Sequence, residues 1–359
     1  MRLEPRHIVT WQHSALSVAL ALALTLVLTF FALWLTSGQP LEATWQVISY
    51  PWQAKTALTQ WGKALNPALY LSLIALGLSI AYRANVWNIG AEGQFAMGAI
   101  CAFGAWLLFG QPQGSWFLPI LLLAGSLGGM AWAAIPATLR TQFNTNELLV
   151  SLMLVYVAGE FLFYLSNGPW ETLALQKPVP TQTASLPESL QFSAIFAKGP
   201  KLHWGLIWGW IAYGIVSATL VLTLLSYRLS IANASPRAER FAGFSPTGTI
   251  WIAFLFSGGL AGLAGAIFLS GDVGFLVEQS NFLRGYGFAA IAIAFLGRLH
   301  PIGILLAGLL IGYVVGGANW LSAKGLGDDS DANIIQSIAL FCTLGTAILV
   351  SHKVRWGHK

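Results

Sequence analysis

Ten apolar runs divide this chain, at residues 15–36, 67–82, 89–110, 116–139, 148–165, 204–226, 249–270, 288–296, 302–317 and 334–351. Most approach the length of about 20 residues that a helix needs to span the hydrocarbon core of a bilayer. Where water is absent, every backbone N–H and C=O must be paired within the protein, so continuous apolar runs of this length become helices. Hydrophobic residues make up 56% of the chain and charged residues 9%, a balance far from that of a soluble domain of this size. The fold class expected is an all-α polytopic membrane protein with about ten transmembrane helices. A single transmembrane domain, residues 15–351, lies between tails at 1–14 and 352–359. The run at 15–36 exceeds a signal-peptide apolar region and no small-residue cleavage site follows it, so it is expected to stay as the first helix.

The net charge of +5 does not point to nucleic acid, because the basic residues are scattered singly between apolar runs instead of forming a stripe. They read as topology signals. Arg83, Arg140, Arg228 and Arg298 fall in short loops on the side that also holds both termini, and an excess of Lys and Arg marks the cytoplasmic side. Both termini are therefore expected in the cytoplasm, with the loop at 166–203 extracytoplasmic and the loop at 227–248 cytoplasmic. The two cysteines, Cys101 and Cys342, sit within apolar runs, and the six histidines have no ligand spacing, so no metal site is expected. No G-x-x-x-x-G-K-[ST] loop and no nucleophile constellation is present. The chain is expected to be a transport component and not an enzyme; if transport is active, its energy comes from a partner or an ion gradient.

Polar residues interrupt the apolar runs at one place in each half. In the first half, Arg83, Asn85 and Asn88 lie between the runs at 67–82 and 89–110, with Glu92 and Gln94 at the start of the second run; in the other half, Gly297, Arg298, His300 and Pro301 separate 288–296 from 302–317. Short or interrupted spans at corresponding positions of two halves are the best sequence pointer to a central transport site. The expectation is two related halves with short broken helices near the centre, the two interrupted segments meeting on one path, and Glu92 or Gln94 reachable from water. Glu92 has two readings, a structural hinge at a helix start or a contact to solute, whereas Glu160 reads as interfacial. Gly258 and Gly262, and Gly308, Gly312 and Gly316, recur every four residues, a spacing that lets helix backbones approach closely.

The loop at 227–248 carries a helix signature of its own. Ser235 stands at an N-cap position, Pro236 at the first helical position, and Arg237, Ala238, Glu239 and Arg240 follow before Gly243. A helix over 236–242 is too short to be stable alone. It is either a surface that docks onto another protein or an ordinary charged linker.

Four strings give the chain a specific likeness. NIGAEGQFAMGA, TNELLVSLMLVYVA, NASPRAERFAGF with FSGGLAGLAGAI, and GYGFAAIAIAFLGRLHPIG occur in that order. Together they resemble the permease subunit of bacterial ABC importers of the ribose/branched-chain amino acid permease superfamily. The string at 88–94 and the Thr-Asn-Glu start of the fifth run resemble its nucleoside-type branch, which works with basic membrane lipoprotein receptors. The resemblance implies a cytoplasmic-membrane importer with four kinds of associate: a cytoplasmic ABC ATPase that uses ATP and Mg, a second permease subunit such as a paralogue, an extracytoplasmic solute-binding lipoprotein, and a small polar solute. It implies no cofactor on this chain, and it makes residues 233–243 the coupling helix that seats on the ATPase. For a nucleoside, the path is expected to offer aromatic faces for the base and amide or hydroxyl groups for the ribose. Asn88, Glu92, Gln94, Phe95, Asn146, Tyr156, Tyr286 and Phe288 are the candidates. A simple-sugar permease and a proton- or sodium-coupled secondary transporter remain alternatives.

Overall fold

The computed structural model describes residues 2–5, 11–36, 40–52, 57–170, 183–195, 202–277, 282–326 and 329–355. Parts of the two tails and of the 166–203 loop lie outside the described residues.

Each of the ten apolar runs corresponds to a helix. In chain order these are α1 (Trp11–Thr36), α3 (Ala57–Arg83), α4 (Ala91–Leu108), α5 (Leu118–Phe143), α6 (Glu147–Ser166), α7 (Gly205–Leu222), α10 (Pro246–Phe268), α11 (Tyr286–Leu296), α12 (Pro301–Ala323) and α13 (Asp329–Ser351). Short helices α2 (Pro40–Ser49), α8 (Leu225–Ala234) and α9 (Pro236–Phe241) connect them. Among the described residues, seven segments are long and apolar enough to cross a membrane: Trp61–Arg83, Ala91–Leu108, Ser115–Phe143, Glu147–Ser166, Gly205–Leu222, Pro246–Val273 and Pro301–Ala323. The protein is thus nearly all-helical and multi-pass. Strand β1 (Arg2–Pro5) pairs antiparallel with β2 (His352–Arg355), tying the two ends of the chain together.

The expectation of short helices in both halves is met only in the second. The run at 67–82 is the latter part of the 27-residue α3, which carries Pro67 inside it. The break in the first half is instead the non-helical connector at 84–90, which opens with Asn85 in the left-handed region at φ 55°. By contrast α11 has 11 residues, about 16 Å at 1.5 Å per residue, or roughly half of the hydrocarbon thickness. It runs toward the end of the bundle where α3 finishes, here called the Arg83 end. The other end carries Asp272, in a π-helical turn (Leu269–Val273) that follows α10.

Glycine determines which helices touch. A Cβ on Gly129 would meet the Gly258 carbonyl, one on Gly98 would meet the Gly262 backbone, and one on Gly265 would meet the Phe95 carbonyl, so α4, α5 and α10 pack backbone to backbone. Along α12, Gly308, Gly312 and Gly316 lie against Ser72, Ala68 and the Lys63 carbonyl of α3. Both glycine strips read from the sequence are therefore close helix contacts.

Candidate functional site

Four layers of functional groups follow one another from the Asp272 end to the Arg83 end. The first is a cavity of about 550 Å³ where α3, the π-helical turn, α11 and α12 meet. Asp272 is its central polar group. Its carboxylate accepts from Asn66 Nδ2 at 2.7 Å and from the Tyr70 hydroxyl at 3.0 Å. His203 Nε2 lies 3.0 Å from that hydroxyl and 3.7 Å from the carboxylate. The described part of the long loop holds this turn in place: Phe192 N–H donates to the Ser270 carbonyl, and Thr183 and Leu276 exchange hydrogen bonds.

Beneath the cavity, Tyr70, Phe95, Phe268, Phe282 and Tyr286 form a buried aromatic cluster with ring centroids 5.2–6.1 Å apart. Phe268 and Tyr286 serve both layers, since they also line the cavity. Edge-to-face contacts of this kind hold rings more firmly than area alone.

The third layer is the conjunction of the two interrupted segments. Glu92, in the first turn of α4, accepts from Gly285 N–H at 2.9 Å and from Gly287 N–H. These are amides at the start of α11, where a helix has free N–H groups and favours negative charge. Glu92 therefore caps the half-helix, and it is buried, 2% exposed. Beside it, the amides of Asn88 and Gln94 pair reciprocally at 2.9 and 3.1 Å. Asn88 also donates to Ser257 at 2.8 Å and accepts from Gly90 N–H at 2.9 Å, so its amide is fully engaged. The two segments meet as the sequence leads one to expect. The water access expected of Glu92 and Gln94 is absent in this conformation, because each spends its hydrogen bonds on the protein. Gln94→Ala is expected to cost about 1–3 kcal/mol of stability by leaving the Asn88 amide short of partners in a buried site. Thermal unfolding of the purified chain in detergent measures this; an unchanged midpoint would mean that the pair does not hold the connector.

The fourth layer joins this centre to the short helices. Arg83 donates through Nε and Nη2 to the Leu299 carbonyl at 2.9 and 2.7 Å, and through Nη1 to Ser226 of α8 at 3.3 Å. Its grip falls on the turn after α11, where Arg298 and Leu299 are both left-handed at φ 55° and 56°, a conformation costly for residues with a Cβ. Helix α9 forms as its sequence dictates, with Pro236 at its start and Ser235 Oγ accepting from Ala238 N–H at 3.1 Å. Glu239 points inward, buried at 3%, and accepts from the Thr249 hydroxyl, which also accepts from Arg228 Nε at 2.7 Å. Pro236, Arg237, Arg240 and Gly243 are exposed, and Phe241 is 97% exposed.

The side chains of the remaining candidates stand apart from these layers. Asn146 is an exposed N-cap of α6, accepting from Leu148 N–H at 3.0 Å. Tyr156 lies on the outer face of α6 and Phe288 on that of α11, 59% and 42% exposed. Sequence reasoning missed Asp272, Asn66, Tyr70, Phe268 and Phe241. Asp272 ends an apolar run and resembles an ordinary loop acid; Phe241 had one signal, an aromatic residue inside an otherwise charged six-residue helix.

The model of the branched-chain amino acid transport system permease component matches residues 62–344. The chain belongs to that family. A glucose ABC transporter permease protein of Haloferax volcanii is 30% identical, over 84% of this chain and 80% of its own length. A nucleoside ABC transporter permease protein of Lactococcus lactis is 28% identical, with 78% of each chain covered. A guanosine ABC transporter permease protein of Bacillus subtilis is 28% identical, over 80% of this chain and 82% of its own. The chain is thus an ABC transporter permease, a multi-pass transport subunit and not an enzyme, and membership of the family implies an ATPase and a second permease as partners.

Proposed function

We propose that this chain forms the translocation path of an importer for a nucleoside or related purine compound, driven by ATP hydrolysis in the partner subunits. The observation that carries the reading is the opposition of its two ends: a polar and aromatic cavity at one, an exposed capped helix at the other, with a buried aromatic cluster between them. In this reading the Asp272 end is extracytoplasmic and takes solute from a binding lipoprotein, the termini are cytoplasmic, and the protein resides in the bacterial cytoplasmic membrane. Helix α9, from Ser235 to Arg240 with Gly243 behind it, seats on the ATPase. Asn88, Glu92, Gln94, Phe95 and Tyr286 form the closed centre of the path, while Asn146, Tyr156 and Phe288 border it only if the second permease covers α6 and α11.

Two nucleoside-named relatives support a purine nucleoside; the glucose-named relative keeps a simple sugar as the second reading. Uptake of labelled guanosine and of glucose by the reconstituted complex separates the two. The purified chain alone is expected to accumulate neither solute in proteoliposomes under a proton or a sodium gradient, and gradient-driven accumulation would overturn the importer reading.

A further inference from the structure

We propose that Asp272 is the acceptor for a vicinal diol, so that the cavity selects solutes by a pair of adjacent hydroxyls, as on a ribose or hexose ring. The inference rests on the importer reading above and adds the solute group recognised and the residue that recognises it.

The cavity, about 550 Å³, falls within the range of small-molecule sites, about 300–1,000 Å³. Asp272 is held by two neutral donors, one on each carboxylate oxygen: Asn66 Nδ2 on Oδ1 at 2.7 Å and the Tyr70 hydroxyl on Oδ2 at 3.0 Å. Each carboxylate oxygen has two lone-pair directions. Among the described residues neither oxygen has a further hydrogen bond, which leaves a pair of acceptor positions on a group whose side chain is 26% exposed where it lines the cavity. Two adjacent hydroxyls of a sugar ring match that pair.

Among the described residues no Lys or Arg is ion-paired with Asp272. Among the described residues its one ion-pair contact is His203 at 3.7 Å. Arg284 lies over the Phe268 ring at 5.8 Å and Lys63 over the Trp320 ring at 4.6 Å. The place of Asp272 in a π-helical turn is a second mark, since such turns recur at functional sites. Phe268 and Tyr286, which line the cavity, supply the apolar wall against which a sugar or base can lie.

The test has two parts. In the reconstituted complex, guanosine uptake is competed with 2′,3′-dideoxyguanosine and with guanosine 5′-monophosphate, for the wild type and Asp272→Asn. The wild type should prefer guanosine over the dideoxy compound by about tenfold or more, as expected for losing hydrogen bonds to a charged acceptor, and Asp272→Asn should lose most of that preference. In the second part, Ala323→Cys is introduced at the cavity wall of the full chain with Cys101 and Cys342 replaced by Ala, and thiol labelling is followed in membranes without the binding protein. Guanosine should protect, and the dideoxy compound should not. This arm leaves Asp272 intact and reads the diol even if Asp272→Asn fails to insert. Equal protection or equal competition by the two compounds would overturn the diol inference while leaving nucleoside import standing. Stronger protection by the monophosphate would overturn it in favour of an anion site on Lys63 and Arg284. If guanosine is not taken up, the nucleoside reading fails by itself, and ribose against 2-deoxyribose in the labelling arm still decides the diol.

Discussion

Phe241→Ala should weaken association with the partner ATPase by about 30-fold or more, the effect of losing an interface anchor worth about 2 kcal/mol. The ring is 97% exposed, so its removal takes nothing from the fold. It stands at the end of α9 beside exposed Arg237 and Arg240, the arrangement of an aromatic anchor rimmed by charge that docking surfaces use. Uptake should fall in step with association, while membrane abundance and thermal stability stay as in the wild type. Titrating the detergent-solubilised permease with its ATPase measures the first, and immunoblotting of membranes the second. Unchanged affinity would remove α9 from the coupling interface. Glu239→Ala should behave in the opposite way, lowering stability first, because its carboxylate holds α9 to Thr249 of α10.

Glu92→Ala is expected to be the most damaging single change at the centre of the bundle. It removes the acceptor of two buried amides, at Gly285 and Gly287, and the negative charge at the start of α11. Hydrogen bonds to a charged group contribute about 1.5–3 kcal/mol each, and an orphaned buried donor costs about 1–3 kcal/mol. A loss of about 3 kcal/mol or more follows. Glu92→Gln keeps an acceptor oxygen and should lose about half as much. Thermal unfolding in detergent ranks the two variants against the wild type; identical midpoints for all three would mean that α11 does not depend on its cap. Gly287→Ala offers an independent check, since its Cβ would meet the Glu92 backbone and push the same two segments apart.

Local features were legible because their causes are local. Ser235 and Pro236 form the cap and first turn of α9 through bonds spanning three residues, so the helix could be placed from its own sequence. Its exposed face could not, because Glu239 turns inward only when Thr249 and Arg228 are in position. Likewise the run at 67–82 looks short because polar Gln60, Lys63 and Asn66 precede it. Helix α3 nevertheless extends through them, as Asn66 finds Asp272 and Lys63 finds the Trp320 ring.

By itself the sequence determined the membrane class, the ten helical segments, the two glycine strips and the pair of interrupted segments. Runs of about 20 apolar residues leave the backbone no partner but its own next turn. What only the tertiary structure decided is which polar groups are free to act. Asn88, Gln94 and Glu92 were the prominent polar residues of the chain, yet they are consumed by one another and by amides 193 and 195 positions away. Asp272, inconspicuous at the end of a run, is brought to Tyr70 and Asn66 across 202 and 206 positions and keeps lone pairs for the cavity. Hydrogen-bonding capacity is a property of the residue type, but whether any of it remains unspent depends on partners that only folding brings within 3 Å.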